Sequence, residues 1–284
     1  MLISSALIAS YMVVQAGVGL PVSGKANGMV ICYVDNVNVA SALPDSLGNF
    51  EINIPALDYQ SLSSSGVTIR LVDGTSTIQF DHVFIGDVYA YYGQSNAGKP
   101  RISPIKTASL EPNVSVFRRH WRDGVGEHPL YFAKEMVKRT GHKIGLLNRS
   151  VGGSRIEQWY NPTTKNFNRE VAPVAGYPVR GFIWWQGEAD AATPTGYGAK
   201  LSTFIASCRE AWGSPLPFFV VEIPTGGPPY GESGLAMRAE YSVIPAMTYL
   251  IDTNGLIGSA NGFVHPADYT GFASRIADSV IENQ

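Results

Sequence analysis

The chain has 284 residues, of which 45% are hydrophobic and only 15% charged, and its formal net charge is −2 at pH 7. This length and apolar content allow a sizeable buried core, which excludes a wholly disordered protein. The near-neutral charge, without a long run of one sign, argues against a protein that binds nucleic acid through a basic surface. The two cysteines, Cys32 and Cys208, match no metal-ligand spacing, so we predict two buried thiols and no disulfide.

The first twenty residues are apolar but lack the features of a targeting segment. No Lys or Arg precedes Lys25, so the basic start of a signal peptide is missing. Ser, Tyr and Gln interrupt the apolar residues, and the run is too short and too polar to span a bilayer. We expect this segment to form the first strand of the fold, in a cytoplasmic or virion-associated protein without membrane insertion.

Residues 1–83 have the pattern of short strands separated by turns. Alternating apolar residues predict strands at Met29–Val34, Phe50–Ile54 and Val67–Val72, with turn pairs such as Asn27-Gly28 and Asp73-Gly74 between them. No segment here has a helical period. We therefore predict a small all-β sandwich at residues 1–83 that supports its neighbour.

From Val83 onward, apolar strands alternate with amphipathic helices. The predicted strands are Val83–Tyr92, His142–Leu147, Phe182–Trp185, Phe218–Ile223 and Met247–Ile251, and the last helix runs from Ala267 to Ile281. Strands that are apolar throughout indicate a parallel sheet covered on both faces. These residues predict an α/β domain at 84–284.

Four segments that follow predicted strands carry polar, reactive or glycine residues. They are Gly93–Asn96, Asn148–Trp159, Gln186–Asp190 and the region of His265. Loops of this kind meet at the carboxyl edge of a parallel sheet. Together they supply a hydroxyl, glycine amides, a side-chain amide and an imidazole, which is the set that acyl transfer requires. On its own segment, Ser95 is equally well explained as a helix N-cap.

The four segments also carry a family resemblance. Gly93-Gln94-Ser95-Asn96 is similar to the nucleophile block of the sialate O-acetylesterase branch of the SGNH, or GDSL-type, hydrolases, and Gly86-Asp87-Val88 matches the strand before that block. Further family blocks resemble Gly152–Trp159, Trp184–Glu188 and His265-Pro266. The likeness spans most of the chain. It implies a flavodoxin-like three-layer sandwich with a parallel sheet, preceded by a small all-β sandwich, and a serine esterase that needs no cofactor.

The resemblance implies a role for each matching residue. Ser95 is the expected nucleophile, and His265 is the base that later returns the proton to the leaving hydroxyl. The expected oxyanion hole consists of the backbone N–H groups of Ser95 and Gly153 and the side-chain amide of Gln186.

Substrate contacts are expected from four residues of the same blocks. Gln94 and Asn96 flank the nucleophile, and Trp159 is expected to stack on a sugar ring. Arg155 is expected to pair with the carboxylate of a sialic or uronic acid.

The chain departs from the family pattern just before His265. Most members place an aspartate two or three residues before the histidine, where this chain has Phe263 and Gly262, with Asn261 preceding them. Three interpretations stay open: a Ser–His dyad oriented by a backbone carbonyl, a carboxylate from elsewhere, or a weakened enzyme. The candidates for a displaced acid are Glu188, Asp190, Asp252 and Asp268, and Glu188 is the first to test.

No metal site is predicted. His82, His120, His128 and His142 show no metal-ligand spacing with Cys, Asp or Glu, and we expect surface or capping roles for them.

We therefore predict a carboxylic ester hydrolase that removes O-acetyl groups from sialic acid or a related bacterial or capsular glycan. The alternative is a carbohydrate- or receptor-binding module on an esterase scaffold that has lost turnover, such as a phage tail component. A lipid or thioester esterase is a third interpretation, which lacks the support of an apolar lid. Turnover that depends on Ser95 separates the first interpretation from the second, and acyl-chain preference separates it from the third.

Overall fold

The structure, a computed structural model, describes residues 3–4, 8–98, 105–106, 111–121, 124–125, 127–225, 231–256, 265–266 and 268–284. The strands are β1 Ile3–Ser4, β2 Val13–Gln15, β3 Leu20–Lys25, β4 Val30–Val34, β5 Val37–Ala42, β6 Asn49–Ile54, β7 Val67–Val72, β8 Thr77–Gly93, β9 Ile105–Lys106, β10 Val114–Phe117, β11 Gly124–Val125, β12 Ile144–Asn148, β13 Gly181–Trp185, β14 Phe218–Val221 and β15 Thr248–Ile251. The α-helices are α1 Glu127–Thr140, α2 Tyr197–Trp212, α3 Gly231–Glu240 and α4 Thr270–Glu282.

The centre of the molecule is a parallel sheet with the strand order β10-β12-β8-β13-β14-β15. β12, β13 and β14 are buried along their whole length, because helices cover both faces. On one face Phe132 of α1 and Phe272 of α4 pack against Tyr91 and Trp185. On the other face Phe204 of α2 packs against Trp184. The predicted three-layer α/β fold is confirmed.

The structure corrects two details of the predicted elements. The strand β10 was not predicted. The closing helix α4 begins at Thr270 instead of the predicted Ala267, and the Thr270 backbone N–H donates to the Asp268 carboxylate at 2.8 Å. His128 of α1 is 1% exposed, and its Nδ1 lies 2.5 Å from the Tyr91 hydroxyl, so the surface or capping role predicted for it is wrong.

The amino-terminal part is rich in strands, as predicted. A three-stranded sheet, β1-β3-β6, and the antiparallel strands β5-β4-β7 bury one apolar cluster between them, with Val22 and Phe50 on the first and Cys32 and Leu71 on the second. Both cysteines are buried free thiols, as predicted. The first twenty residues form the short strands β1, β2 and the start of β3 instead of a single strand. None of the described helices is both long and apolar enough to cross a bilayer.

The strand β8 joins the two parts of the molecule. Its 17 residues pair first with β7, antiparallel, and then with β2, β12 and β13, all parallel. The domain boundary predicted between residues 83 and 84 falls inside this strand. The division into domains 1–83 and 84–284 stays a prediction.

A buried carboxylate lies where the two parts meet. Asp87 of β8 is 2% exposed and accepts a hydrogen bond from the Tyr59 hydroxyl at 2.6 Å and from Arg180 Nη1 at 2.8 Å, and its other oxygen lies 2.7 Å from His142 Nδ1. Burial alone would raise the pKa of Asp87, but the bonds from Tyr59 and His142 and the charge of Arg180 outweigh it and hold this pKa below its ordinary value. Asp87 is therefore ionised and fixes the amino-terminal segment to the sheet.

Candidate active site

Ser95 lies at the carboxyl end of β8 and begins a short 3₁₀ turn, Ser95–Ala97. The chain leaves the strand through Gly93, whose φ of +138° excludes other residues and whose Cβ, if present, would lie 2.0 Å from the Trp185 carbonyl oxygen. The next backbone N–H, of Gln94, donates to the same oxygen at 2.9 Å. This tight turn holds Ser95 at the carboxyl edge of the sheet, where 8% of its surface is exposed.

His265 contacts the residue that follows the nucleophile. Its Nδ1 lies 2.8 Å from Asn96 Oδ1. Asn96 Nδ2 donates to the Glu188 carboxylate, so the amide atom that faces His265 is the oxygen. An amide oxygen only accepts, and His265 Nδ1 must therefore carry the proton, which makes Nε2 the basic ring atom.

Glu188 reaches His265 through Asn96. Its Oε1 lies 2.5 Å from Asn96 Nδ2, and its Oε2 is buried. Burial raises the pKa of Glu188 to about 7, although the hydrogen bond from Asn96 acts in the opposite direction. Glu188 is thus a half-buried carboxyl group that can change its charge near neutral pH.

The other three candidate acids have different partners. Asp190 accepts from Gln186 Nε2 and from the Ile156 backbone N–H, and Asp252 pairs with Arg238 at 2.8 Å. Asp268 accepts the Thr270 backbone N–H at the start of α4. Phe263 and Gly262, at the positions where the family pattern has the aspartate, lie outside the described residues, as does Asn261.

The loop after β12 brings the predicted glycine pair beside the nucleophile. The backbone N–H of Val151 donates to the Gly93 carbonyl oxygen at 2.9 Å, which fixes this loop against the end of β8. Gly153 is exposed and has a φ of +67°, a conformation that favours glycine. The oxyanion-hole roles of the Ser95 and Gly153 backbone N–H groups stay predictions.

Gln186 is buried and has partners inside the protein. Its Nε2 donates to Asp190 Oδ2 at 2.6 Å and to the Ser154 carbonyl oxygen at 2.9 Å. The oxyanion-hole role of the Gln186 side-chain amide stays a prediction. Gln186 connects the loop after β13 to the glycine loop.

Three of the four predicted substrate contacts are buried as well. Gln94 is 3% exposed and accepts the Ala189 backbone N–H at 3.2 Å, and Asn96, also 3% exposed, uses its amide on Glu188 and His265. Trp159 has no exposed surface and donates its indole N–H to Ser154 Oγ at 2.8 Å. These three side chains thus have partners inside the protein, and their predicted contacts with substrate stay predictions. Arg155 is exposed and stays a candidate.

A cleft of about 610 Å³ opens beside the glycine loop. Its described walls include Arg118, Arg119, His120, Arg149, Arg169, Glu170 and the loop 148–152. Glu170 pairs with Arg149 at 3.0 Å and with Arg169 at 2.6 Å, so one carboxylate lies among the four arginines of these walls. Sequence reasoning missed this cleft because Arg118-Arg119-His120 follow β10, a strand that was not predicted.

Comparisons with known proteins identify the family of the chain. The family model described as "carbohydrate esterase, sialic acid-specific acetylesterase" matches residues 110–281, a range that begins after Ser95 and contains Gly153, Glu188 and His265. No match was found among curated protein sequences.

Two solved structures share the fold. A carbohydrate acetylesterase from Xanthomonas citri superposes with a TM-score of 0.84 at 23% sequence identity, covering 100% of this chain and 75% of its own. A protein from Arabidopsis thaliana superposes with a TM-score of 0.56 at 19% identity, covering 70% of this chain and 98% of its own. Since the family model matches more than half of the residues, the chain belongs to the sialic acid-specific acetylesterase family of carbohydrate esterases and is a carboxylic ester hydrolase.

Proposed function

We propose that this protein removes O-acetyl groups from an acidic carbohydrate through an acetyl-serine intermediate. The observation that supports the proposal is the contact between His265 Nδ1 and Asn96 Oδ1 at 2.8 Å, because Asn96 directly follows Ser95 in the chain. The contact also favours an enzyme over a binding module without turnover, because it supplies the orienting acceptor that the sequence pattern lacks.

The reaction follows from this placement. Ser95 Oγ attacks the acetyl carbonyl carbon while His265 Nε2 accepts the hydroxyl proton. The oxyanion receives hydrogen bonds from the Ser95 and Gly153 backbone N–H groups. When the tetrahedral intermediate collapses, the bond between the acetyl carbon and the sugar oxygen breaks, and His265 returns the proton to that oxygen. Water then attacks the acetyl-serine in the same way and releases acetate.

The esterase is tested by measuring acetate release from p-nitrophenyl acetate and from O-acetylated sialic acid. We expect hydrolysis of both, and we expect that acid quenching during turnover leaves an acetyl group on the peptide that contains Ser95, which mass spectrometry detects. Absence of acetate release from both esters would contradict the proposal and favour the binding module. Faster hydrolysis of long-chain acyl esters than of acetyl esters would favour a lipid esterase.

The charge of the cleft supports an acidic substrate. Gly152 belongs to the cleft wall and is adjacent to Gly153, so a sugar whose acetyl group lies at Ser95 would extend between the arginines. Guanidinium groups bind carboxylates in a bidentate way. Arg119 is an exposed member of this wall, and Arg155 is exposed two residues beyond Gly153.

We expect Arg119→Ala to raise KM for O-acetylated sialic acid by about 10-fold, the value of one partly exposed charge-assisted contact, and to leave KM for an acetylated neutral hexose unchanged. Arg155→Ala, measured in parallel, tests the other arginine. Steady-state kinetics at low and high salt check the result, because added salt should weaken the acidic ester's binding alone.

Lys138→Ala is the control, since Lys138 is a surface cation on α1 with 77% of its side chain exposed. If neither arginine variant changes KM for the acidic ester, the acidic substrate is refuted while the esterase itself stands.

A further inference from the structure

We propose that Asn96 and Glu188 are positioning residues which together replace the acid that is missing before His265. The inference rests on the proposed esterase function and extends it to two side chains. The family pattern has an acid two or three residues before the histidine, whereas here the orienting groups come from the nucleophile block and from the loop after β13.

The geometry defines a connected path of hydrogen bonds. His265 Nδ1–H donates to Asn96 Oδ1 at 2.8 Å, and Asn96 Nδ2–H donates to Glu188 Oε1 at 2.5 Å. The hydroxyl of Tyr269, just before α4, donates to the same Asn96 oxygen at 3.1 Å. Asn96 is 3% exposed and held on both sides, so while Glu188 is ionised its amide presents oxygen to the imidazole.

This path performs both tasks of a triad acid. It fixes the tautomer, since only a protonated Nδ1 matches an amide oxygen, and that leaves the Nε2 lone pair for the serine proton. It also stabilises the imidazolium that forms in the transition state, because the carboxylate charge of Glu188 polarises the amide toward His265. An amide next to the ring stabilises that charge less than a carboxylate would, so the second task depends on the charge of Glu188.

The charge of Glu188 should therefore appear in the pH profile. Its pKa of about 7 comes from burial, and the groups that face it are Asp190 in its own loop, Tyr197 of α2, Tyr241 after α3 and His265 through Asn96. A group with a raised carboxyl pKa gains its charge only as the pH rises through that value. The activity of the wild type should thus rise through pH 7 with the Glu188 ionisation added to that of the histidine.

The test compares three variants with the wild type. Glu188→Gln keeps the shape of the side chain and removes its charge. It should lower kcat by about 10- to 100-fold, the range found when a carboxylate that orients a functional imidazole is lost, with KM nearly unchanged. Asn96→Ala removes the acceptor itself and should lower kcat by about 10³-fold or more. Glu157→Gln is the matched control, because Glu157 is exposed and pairs with Lys200 outside the path.

The decisive variant exchanges the two groups. In Asn96→Asp/Glu188→Gln the carboxylate lies next to His265 and the amide lies behind it, so every hydrogen bond of the path has a donor and an acceptor. This double variant should be at least about 10-fold more active than Glu188→Gln, with an acid limb that no longer contains the ionisation near pH 7. A merely structural role for Glu188 would give no such recovery. Equal or lower activity of the double variant would overturn the proposal.

A measurement without substrate separates this proposal from the esterase function. In ¹⁵N-histidine NMR spectra, the signals missing from His265→Gln identify His265 among the five histidines. We expect Nδ1 protonation in the wild type and its loss in Asn96→Ala. The same tautomer in both proteins would refute the path even if acetate release is normal. The expected tautomer with no hydrolysis of any ester would refute the esterase alone.

Discussion

Substitution of Ser95 by alanine is expected to lower kcat on acetyl esters by about 10⁴-fold or more, because the variant lacks the oxygen that forms the acetyl intermediate. The oxyanion donors are backbone groups and stay in place, so a small residual rate over the uncatalysed reaction should persist. The measurement is acetate release from p-nitrophenyl acetate and O-acetylated sialic acid under identical conditions.

The matched control is Ser61→Ala, which removes the hydroxyl of an exposed serine far along the chain from the site. It should retain the wild-type rate. If Ser95→Ala retains it too, the nucleophile lies elsewhere and the mechanism proposed above is wrong. Far-ultraviolet circular dichroism of Ser95→Ala shows whether a lost rate reflects the missing oxygen or a misfolded chain.

Asp87→Asn is expected to lower the free energy of unfolding by about 2–4 kcal/mol at neutral pH, because it removes the charge that Arg180, Tyr59 and His142 surround. The lower value, about 2 kcal/mol, applies if solvent screens the ion pair between Asp87 and Arg180, since 37% of the Arg180 side chain is exposed. Urea unfolding followed by tryptophan fluorescence measures the difference.

The pH dependence of this difference has a definite sign. The pKa of Asp87 is lower in the folded protein than its ordinary value, so the carboxylate contributes its full stability above the unfolded-state pKa. That contribution falls as the pH drops through the folded-state pKa, and the wild type and Asp87→Asn should converge in acid. Asp58→Asn, a change at an exposed carboxylate, is the control and should alter stability little at any pH. A difference for Asp87→Asn that grows in acid would contradict this assignment.

The alternation of strands and helices was predictable because the hydrophobic pattern alone specifies it. β7 has the predicted bounds, Val67–Val72, and β13 and β15 differ from theirs by one residue at one end. β10 was not predicted because it has only four residues, and the buried serine at its second position interrupts the hydrophobic pattern. Its omission also hid the arginines that follow it.

The site was predictable in its segments and much less so in the direction of its side chains. Trp159 was placed on a loop and therefore expected at the surface, yet it packs against Trp184 and Phe204, which lie on other elements. The same holds for Asn96. Its position next to Ser95 predicts a contact with substrate, and only the fold shows that its side chain lies between Glu188 and His265. Which of two amide atoms meets an imidazole is decided by partners distant in sequence.

The strand β8 runs without a break from the amino-terminal sheets to the turn that carries Ser95. Thr77 lies at one end of the strand and Gly93, two residues before Ser95, at the other. A chain that began at residue 84 would lack β2, the partner of residues 84–86 of this strand, and would leave an unpaired edge there that is prone to association. The amino-terminal strands should therefore unfold together with the parallel sheet in one cooperative transition, because β8 belongs to both. They also help to hold Ser95 in position.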